Sequence, residues 1–261
     1  MFATAAMHRL WKQSSLLAAL LLDSSLTVLA GPPFVTDDPE PVEYKHWEVY
    51  LASQLAHDQD GWSGTSPHVE VNYGAAPNLQ LHVITPMVFA APNHGSTQVG
   101  YGDTELGVKY RLVQETENRP QLGVFPLIEV PTGDSTRGLG SGHVQALLPL
   151  WIQKSWGEES RKWTTYGGGG YWINPGAGNH SWCFVGWLLQ RQITSNLTLG
   201  AEAFHETAKV TDGKSDTRLN LGGIFDLSEV YHLLFSAGHT IQGPGGFQAY
   251  VAFQVTFGPG K

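Results

Sequence analysis

Residues 247–257 read Phe-Gln-Ala-Tyr-Val-Ala-Phe-Gln-Val-Thr-Phe. Phe247, Ala249, Val251, Phe253, Val255 and Phe257 share one parity, and Gln248, Tyr250, Ala252, Gln254 and Thr256 share the other. An extended chain sends successive side chains to opposite faces, so the stretch predicts a strand with one apolar face and one small or polar face. In a soluble β-sandwich or lipocalin-like barrel the apolar face would cover a protein core and the other would be rich in charge. Here the second parity carries Gly, Ala, Gln and Thr as often as charge. A wall standing between lipid and a polar lumen has that character.

The alternation recurs upstream. Twelve strands are expected, at roughly 46–56, 67–75, 79–90, 101–113, 121–131, 142–155, 161–173, 181–192, 197–207, 216–227, 231–238 and 246–257. Leu106, Val108, Tyr110 and Leu112 oppose Glu105, Gly107, Lys109 and Arg111. Leu219, Leu221, Phe225 and Leu227 oppose Arg218, Asn220, Gly222 and Asp226. The connections alternate in length. Those at 57–66, 91–100, 132–141, 174–180, 208–215 and 239–245 are long and polar, whereas 76–78, 157–160, 195–196 and 228–229 are tight and 114–120 is intermediate. Short inner turns, long outer loops and an even strand count define an outer-membrane barrel with both termini on the periplasmic side. Trp47, Trp156 and Trp163 then fall near periplasmic ends, and Trp172 and Trp182 near outer ends, where aromatic girdles belong. The expected fold class is all-β, a transmembrane antiparallel β-barrel of about twelve strands.

The chain's 261 residues are 15% charged, with 31 Gly, nine Trp and a mean hydropathy of −0.16. That is too uncharged for disorder and too polar for a helical membrane bundle. The N-terminus has the parts of a cleaved export signal: His8, Arg9 and Lys12, the apolar run Leu16–Leu22, and Val28-Leu29-Ala30 before Gly31. Residues 1–30 are read as a signal peptide, 31–45 as a periplasmic leader or plug, 46–257 as the barrel and 258–261 as a short tail. Cleavage removes two cations and one anion, so a net charge of −8 becomes −9, which argues against nucleic-acid partners. The single Cys183 excludes an intrachain disulfide. The partners expected of such a chain are outer-membrane lipids, the barrel-assembly machinery and a small solute. The location expected is the bacterial outer membrane.

Four stretches carry a resemblance: residues 33–42 (PFVTDDPEPV) with His46-Trp47-Glu48; Gly100-Tyr101-Gly102-Asp103 leading into residues 107–111; Pro131-Thr132-Gly133-Asp134; and residues 167–172 with Asn174-Pro175-Gly176. Together they resemble the outer-membrane transporter family labelled "MetA-pathway of phenol degradation", over essentially the whole mature chain. The resemblance implies an outer-membrane barrel, with no defined substrate and no catalytic residues. Gly258-Pro259-Gly260-Lys261 after Phe257 depart from the usual aromatic end of such barrels.

The inner parity gathers Glu48, Glu70, His82, Glu105, Lys109, Arg111, Glu129, Glu202, Arg218 and Asp226. These either line a selectivity zone or pair into a network that fills the lumen. Phe34, Val35, Asp37 and Asp38 are candidate gating residues of the leader, since a free spacer has little use for bulky apolar side chains. Asp37, Asp38 and Glu40 are expected to pair with Lys109, Arg111 or Arg218. His57, His68, His94, His143, His180, His205 and His239 fall in or beside the outer loops, without metal-ligand spacing in any one loop. No metal or cofactor is therefore expected. Ser141-Gly142-His143 and His180-Ser181 lack an orienting third group, so no enzyme is expected. The residues point to a barrel that passes or binds a small apolar or aromatic solute. Alternatives are a structural or adhesion barrel with a closed lumen and, third, a lipid-modifying enzyme.

Overall fold

The computed structural model describes residues 32–259; the expected signal peptide and the last two residues of the tail lie outside the described residues. Fourteen strands form one sheet. They are β1 (Trp47–His57), β2 (Gly61–Ala76), β3 (Leu79–Pro92), β4 (Gln98–Tyr101), β5 (Thr104–Val113), β6 (Gln121–Val124), β7 (Leu127–Val130) and β8 (Gln145–Trp156). The remainder are β9 (Trp163–Ile173), β10 (Trp182–Thr194), β11 (Leu197–Glu206), β12 (Asp216–Asp226), β13 (Tyr231–Gln242) and β14 (Phe247–Phe257). β4 and β5 make one stave interrupted at Gly102-Asp103, and β6 and β7 another interrupted at Phe125-Pro126. The barrel therefore has twelve staves. Pro126 has no N–H to give to a ladder, which is a local reason for the second break.

Each stave pairs antiparallel with its neighbour. β1 closes on β14 from Trp47↔Phe257 to His57↔Phe247, so no edge is left open. The apolar stretch 247–257 is the closing strand.

The packing is inside-out. Leu221 is 69% exposed, and Leu148, Val251 and Phe253 also face outward, while Glu70, Asn220 and Gln254 are buried against the axis. Trp47 stacks near Tyr73 and Phe257 at the short-turn rim, and Trp156 is exposed at the same rim. Trp172 and Trp182 do not join such a girdle. Both have inward parity, stack on each other at 5.6 Å and pack on the buried Phe125–Phe204 cluster.

Several boundaries differ from expectation. Only residues 58–60 separate β1 from β2, because 62–65 pair with both β1 and β3. Backbone pairing there continues past the apolar band, so a polar Gly/Ser sequence is no sign of a loop. Pro67 lies where the β2–β3 register shifts between Thr65 and His68, a place where a missing N–H is tolerated. β13 likewise runs on to Gln242, and β8 starts only at Gln145.

Candidate functional site

The lumen holds a cavity of about 1220 Å³, whose lining runs from Asn196, Ser228 and Glu229 at the short-turn rim to Asn174 and Lys209 at the long-loop rim. Residues 32–45 lie inside the ring of strands, anchored along their length. The Pro33 carbonyl accepts from Ser236 Oγ on β13 (2.6 Å), and Thr36 N donates to Glu202 Oε1 on β11. Asp37 Oδ1 accepts from Lys109 Nζ on β5 (3.0 Å). The Glu40 carboxylate accepts from Arg111 Nη1 and from Gln121 Nε2 (2.6 Å). Val42 N donates to Gln80 Oε1 on β3 (2.9 Å), and Tyr44 bridges to Gly74 of β2. The anchors at β11 and β13 stand nearly opposite those at β3 and β5 in the closed ring, so the segment crosses the lumen.

Glycines on the inner face make room for it. A Cβ at Gly186 would strike the Thr36 side chain, and one at Gly123 would strike Pro39. Thr36, Asp38 and Pro39 are fully buried. Burial holds the Asp38 carboxyl well above the usual carboxylate range; Lys109 opposes this, and Asp37 and Glu40 add to it. Phe34 packs towards Gly200, whereas Val35 is exposed to the cavity.

All ten inner-parity candidates face the axis, and most are already paired. Glu48 Oε2 accepts from Tyr50 OH (2.7 Å). Glu70 accepts from Asn72 Nδ2 (2.8 Å), and Asn72 Oδ1 bonds His82 Nδ1 (2.6 Å). His82 Nε2 lies 2.8 Å from Glu105 Oε1. Glu202 also accepts from Asn220 Nδ2, and Asp226 Oδ1 lies 2.6 Å from His232 Nδ1. Lys109 and Arg111 hold the leader. Arg218 does not: it bonds Glu206 (2.8 Å) and Asp216 (3.0 Å) on the far wall. Glu129 has no hydrogen-bond or ion-pair partner among the described residues.

The sequence reading missed Gln80, Gln121 and Ser236 as anchors, and Glu206 and Asp216 as lumen acids. Their inner parity was the available signal. His68, expected at the loop end of the 67–75 strand, lies within the longer β2 and is buried there. Among the described residues no group of three or more His, Cys, Asp or Glu could hold a metal ion. Ser141 Oγ donates to Asp103 Oδ2 (2.7 Å) in the loop that folds over the Gly102-Asp103 break.

The wall from β7 to β11 is apolar and aromatic: Leu127, Leu147, Trp172, Trp182, Phe184 and Phe204 border the cavity. The opposite wall, β1 to β3 with β14, presents Tyr50, His68, Glu70 and Tyr250. One side of the cavity thus suits an apolar body and the other supplies hydrogen bonds.

No protein-family model matches the chain. No curated protein matches it either. Solved structures do. An outer-membrane channel from Pseudomonas putida F1 is 13% identical, with a TM-score of 0.69 over 84% of this chain and 98% of that one. The KdgM porin is 9% identical, with a TM-score of 0.53 over 80% and 99%. The translocator domain of autotransporter NalP from Neisseria meningitidis is 14% identical, with a TM-score of 0.52 over 83% and 90%. At these identities the likeness is one of fold, a closed antiparallel barrel of twelve staves.

Proposed function

We propose that this protein is an outer-membrane channel for a small apolar or aromatic solute, and that the leader, residues 31–45, gates it. The observation that carries the reading is the crossing of the lumen by residues 32–45, between two walls that otherwise bound a single cavity of about 1220 Å³. A cavity with one aromatic wall and a few placed polar groups has the make-up of a small-molecule site. The inner-face glycines support a docked leader, because the lumen wall is relieved of side chains along its course. The resemblance to the phenol-degradation transporter group agrees with this, as does the description of two structural neighbours as a channel and a porin.

In this reading Lys109 and Arg111 are the clasp, Asp37 and Glu40 the charged catch, Asp38 the buried carboxyl beside them, and Phe34 and Val35 the apolar face offered to the solute. Glu48, Glu70, His82, Glu105, Glu202 and Asp226 set the polarity of the passage, and Glu129 and Arg218 that of its long-loop mouth. An export signal ending at Ala30 delivers the chain, so N-terminal sequencing of the membrane-extracted protein should begin at Gly31.

The deciding experiment compares the intact barrel with one lacking residues 33–42, both reconstituted in planar bilayers and in liposomes. Deletion should raise conductance and uptake of small aromatic solutes several-fold while assembly is unchanged. If both forms stay impermeable, the alternative of a closed structural barrel is correct.

A further inference from the structure

We infer that the long-loop mouth contains a binding site for an organic ammonium ion, occupied in this structure by the protein's own Lys209. This rests on the channel reading and narrows its solute to one with a cationic head on an apolar body.

Lys209 Nζ lies 4.4 Å from the centroid of the Trp182 ring and 2.9 Å from Glu206 Oε1. Trp182 is stacked on Trp172 and leans on Phe184, 6.0 Å away, so the ammonium rests on the face of an aromatic wall. A cation over an indole face, with a carboxylate beside it, is the arrangement that recognises ammonium groups. Lys209 reaches the site from the 207–215 connection with its side chain 46% exposed, so solvent is open to it once it is displaced.

The charges around it do not cancel. Asp216, Arg218, Glu206 and Lys209 form a continuous chain of ion pairs that is neutral as a whole. Glu129 borders the same cavity with no partner of its own. Its charged neighbours are Glu105 and Asp103, and Lys209 is the cation whose field reaches it. Glu129 is therefore the lumen acid left to face a mobile cation. The aromatic face gives such a cation a reason to stay that a simple metal ion lacks.

Lys209 then acts as a tethered competitor. An incoming ammonium ion displaces it from Trp182 and Glu206, and the freed side chain swings to solvent. A tether of this length keeps the competitor at an effective concentration on the order of millimolar, so the site discriminates without binding tightly.

The test uses the full barrel in detergent with choline and its uncharged isostere 3,3-dimethylbutan-1-ol, read by titration calorimetry. Choline should bind saturably and about tenfold more tightly than the alcohol. Lys209→Ala should tighten choline binding several-fold. The backbone carbonyl of Lys209, which accepts from His180 N and Asn174 Nδ2, is retained in that variant. Glu129→Gln, which breaks no pair, should weaken choline and leave the alcohol unchanged. Equal binding of the two probes, or no gain in Lys209→Ala, overturns the site. Choline binding that follows Lys209 and Glu129 in a barrel that never conducts would keep the site and remove the channel. Solute flux without ammonium preference would do the reverse.

Discussion

Val251 and Gln54 belong to paired strands and face opposite media. Val251 is 48% exposed on the outer face; Gln54 points into the cavity with open space before it. Val251→Arg should cost about 2–4 kcal/mol if near the bilayer midplane, while Gln54→Arg should stay within about 0.5 kcal/mol. Heat-modifiability on gels after assembly in vitro checks both, and equal tolerance would mean that parity does not report a lipid face. Inward position alone is no licence for substitution. Asn220 is buried between Glu202 and Gln248, so a charge there breaks a satisfied network. Gly186→Leu is a different case, because its side chain would strike Thr36 and the Phe204 ring. It should expel the leader and raise conductance towards that of the 33–42 deletion, with the barrel still formed.

At the scale of the element, the leader is held by charge and hydrogen bonds as well as by the burial of Pro33, Pro39, Pro41 and Val42, and its charged and titratable contacts make its docking sensitive to pH. Asp38 is raised by burial, so the docked leader keeps a proton that an undocked one, with a carboxyl near its usual value of about 4, has released. The contribution to docking is fully present below about pH 4 and is lost as pH rises through the elevated Asp38 value. Conductance should accordingly increase as pH rises from about 4 through that elevated value. Asp38→Asn, neutral throughout, should hold it low across that range, and an unaltered pH profile in that variant would remove Asp38 from the gate. The broken staves belong to this scale as well. Gly102-Asp103 is braced by Thr132, Gly133 and Ser141 of the 131–144 connection, so Asp103→Ala should loosen that loop, as read by its hydrogen exchange.

At the scale of the whole molecule, the two rims differ in what they expose. Protease added to intact cells should cut within 131–144 or 207–215 and spare the 157–162 turn. The 62–65 segment, paired on both sides, should resist. Cleavage confined to the short turns would invert the orientation of the barrel in the membrane.

The alternation at 247–257, the length-sorted connections and the even strand count determined the barrel, because a strand between lipid and a polar lumen must carry its two environments on alternate residues. The inward direction of Glu48, Lys109, Arg218 and the other candidates followed from the same rule. Parity says which way a side chain points and nothing about what it meets. Lys109 and Arg111 found the leader, while Arg218, of the same parity, found Glu206 and Asp216 on the other wall. Trp172 and Trp182 read as girdle residues by their place along the strand, and the register of β9 on β10 sets them against each other on the inner face. Closure, shear and the path of residues 32–45 bring together positions far apart in the chain, such as Pro33 and Ser236, 203 residues apart. Such contacts depend on where twelve staves meet around an axis, which a local period of two residues does not encode.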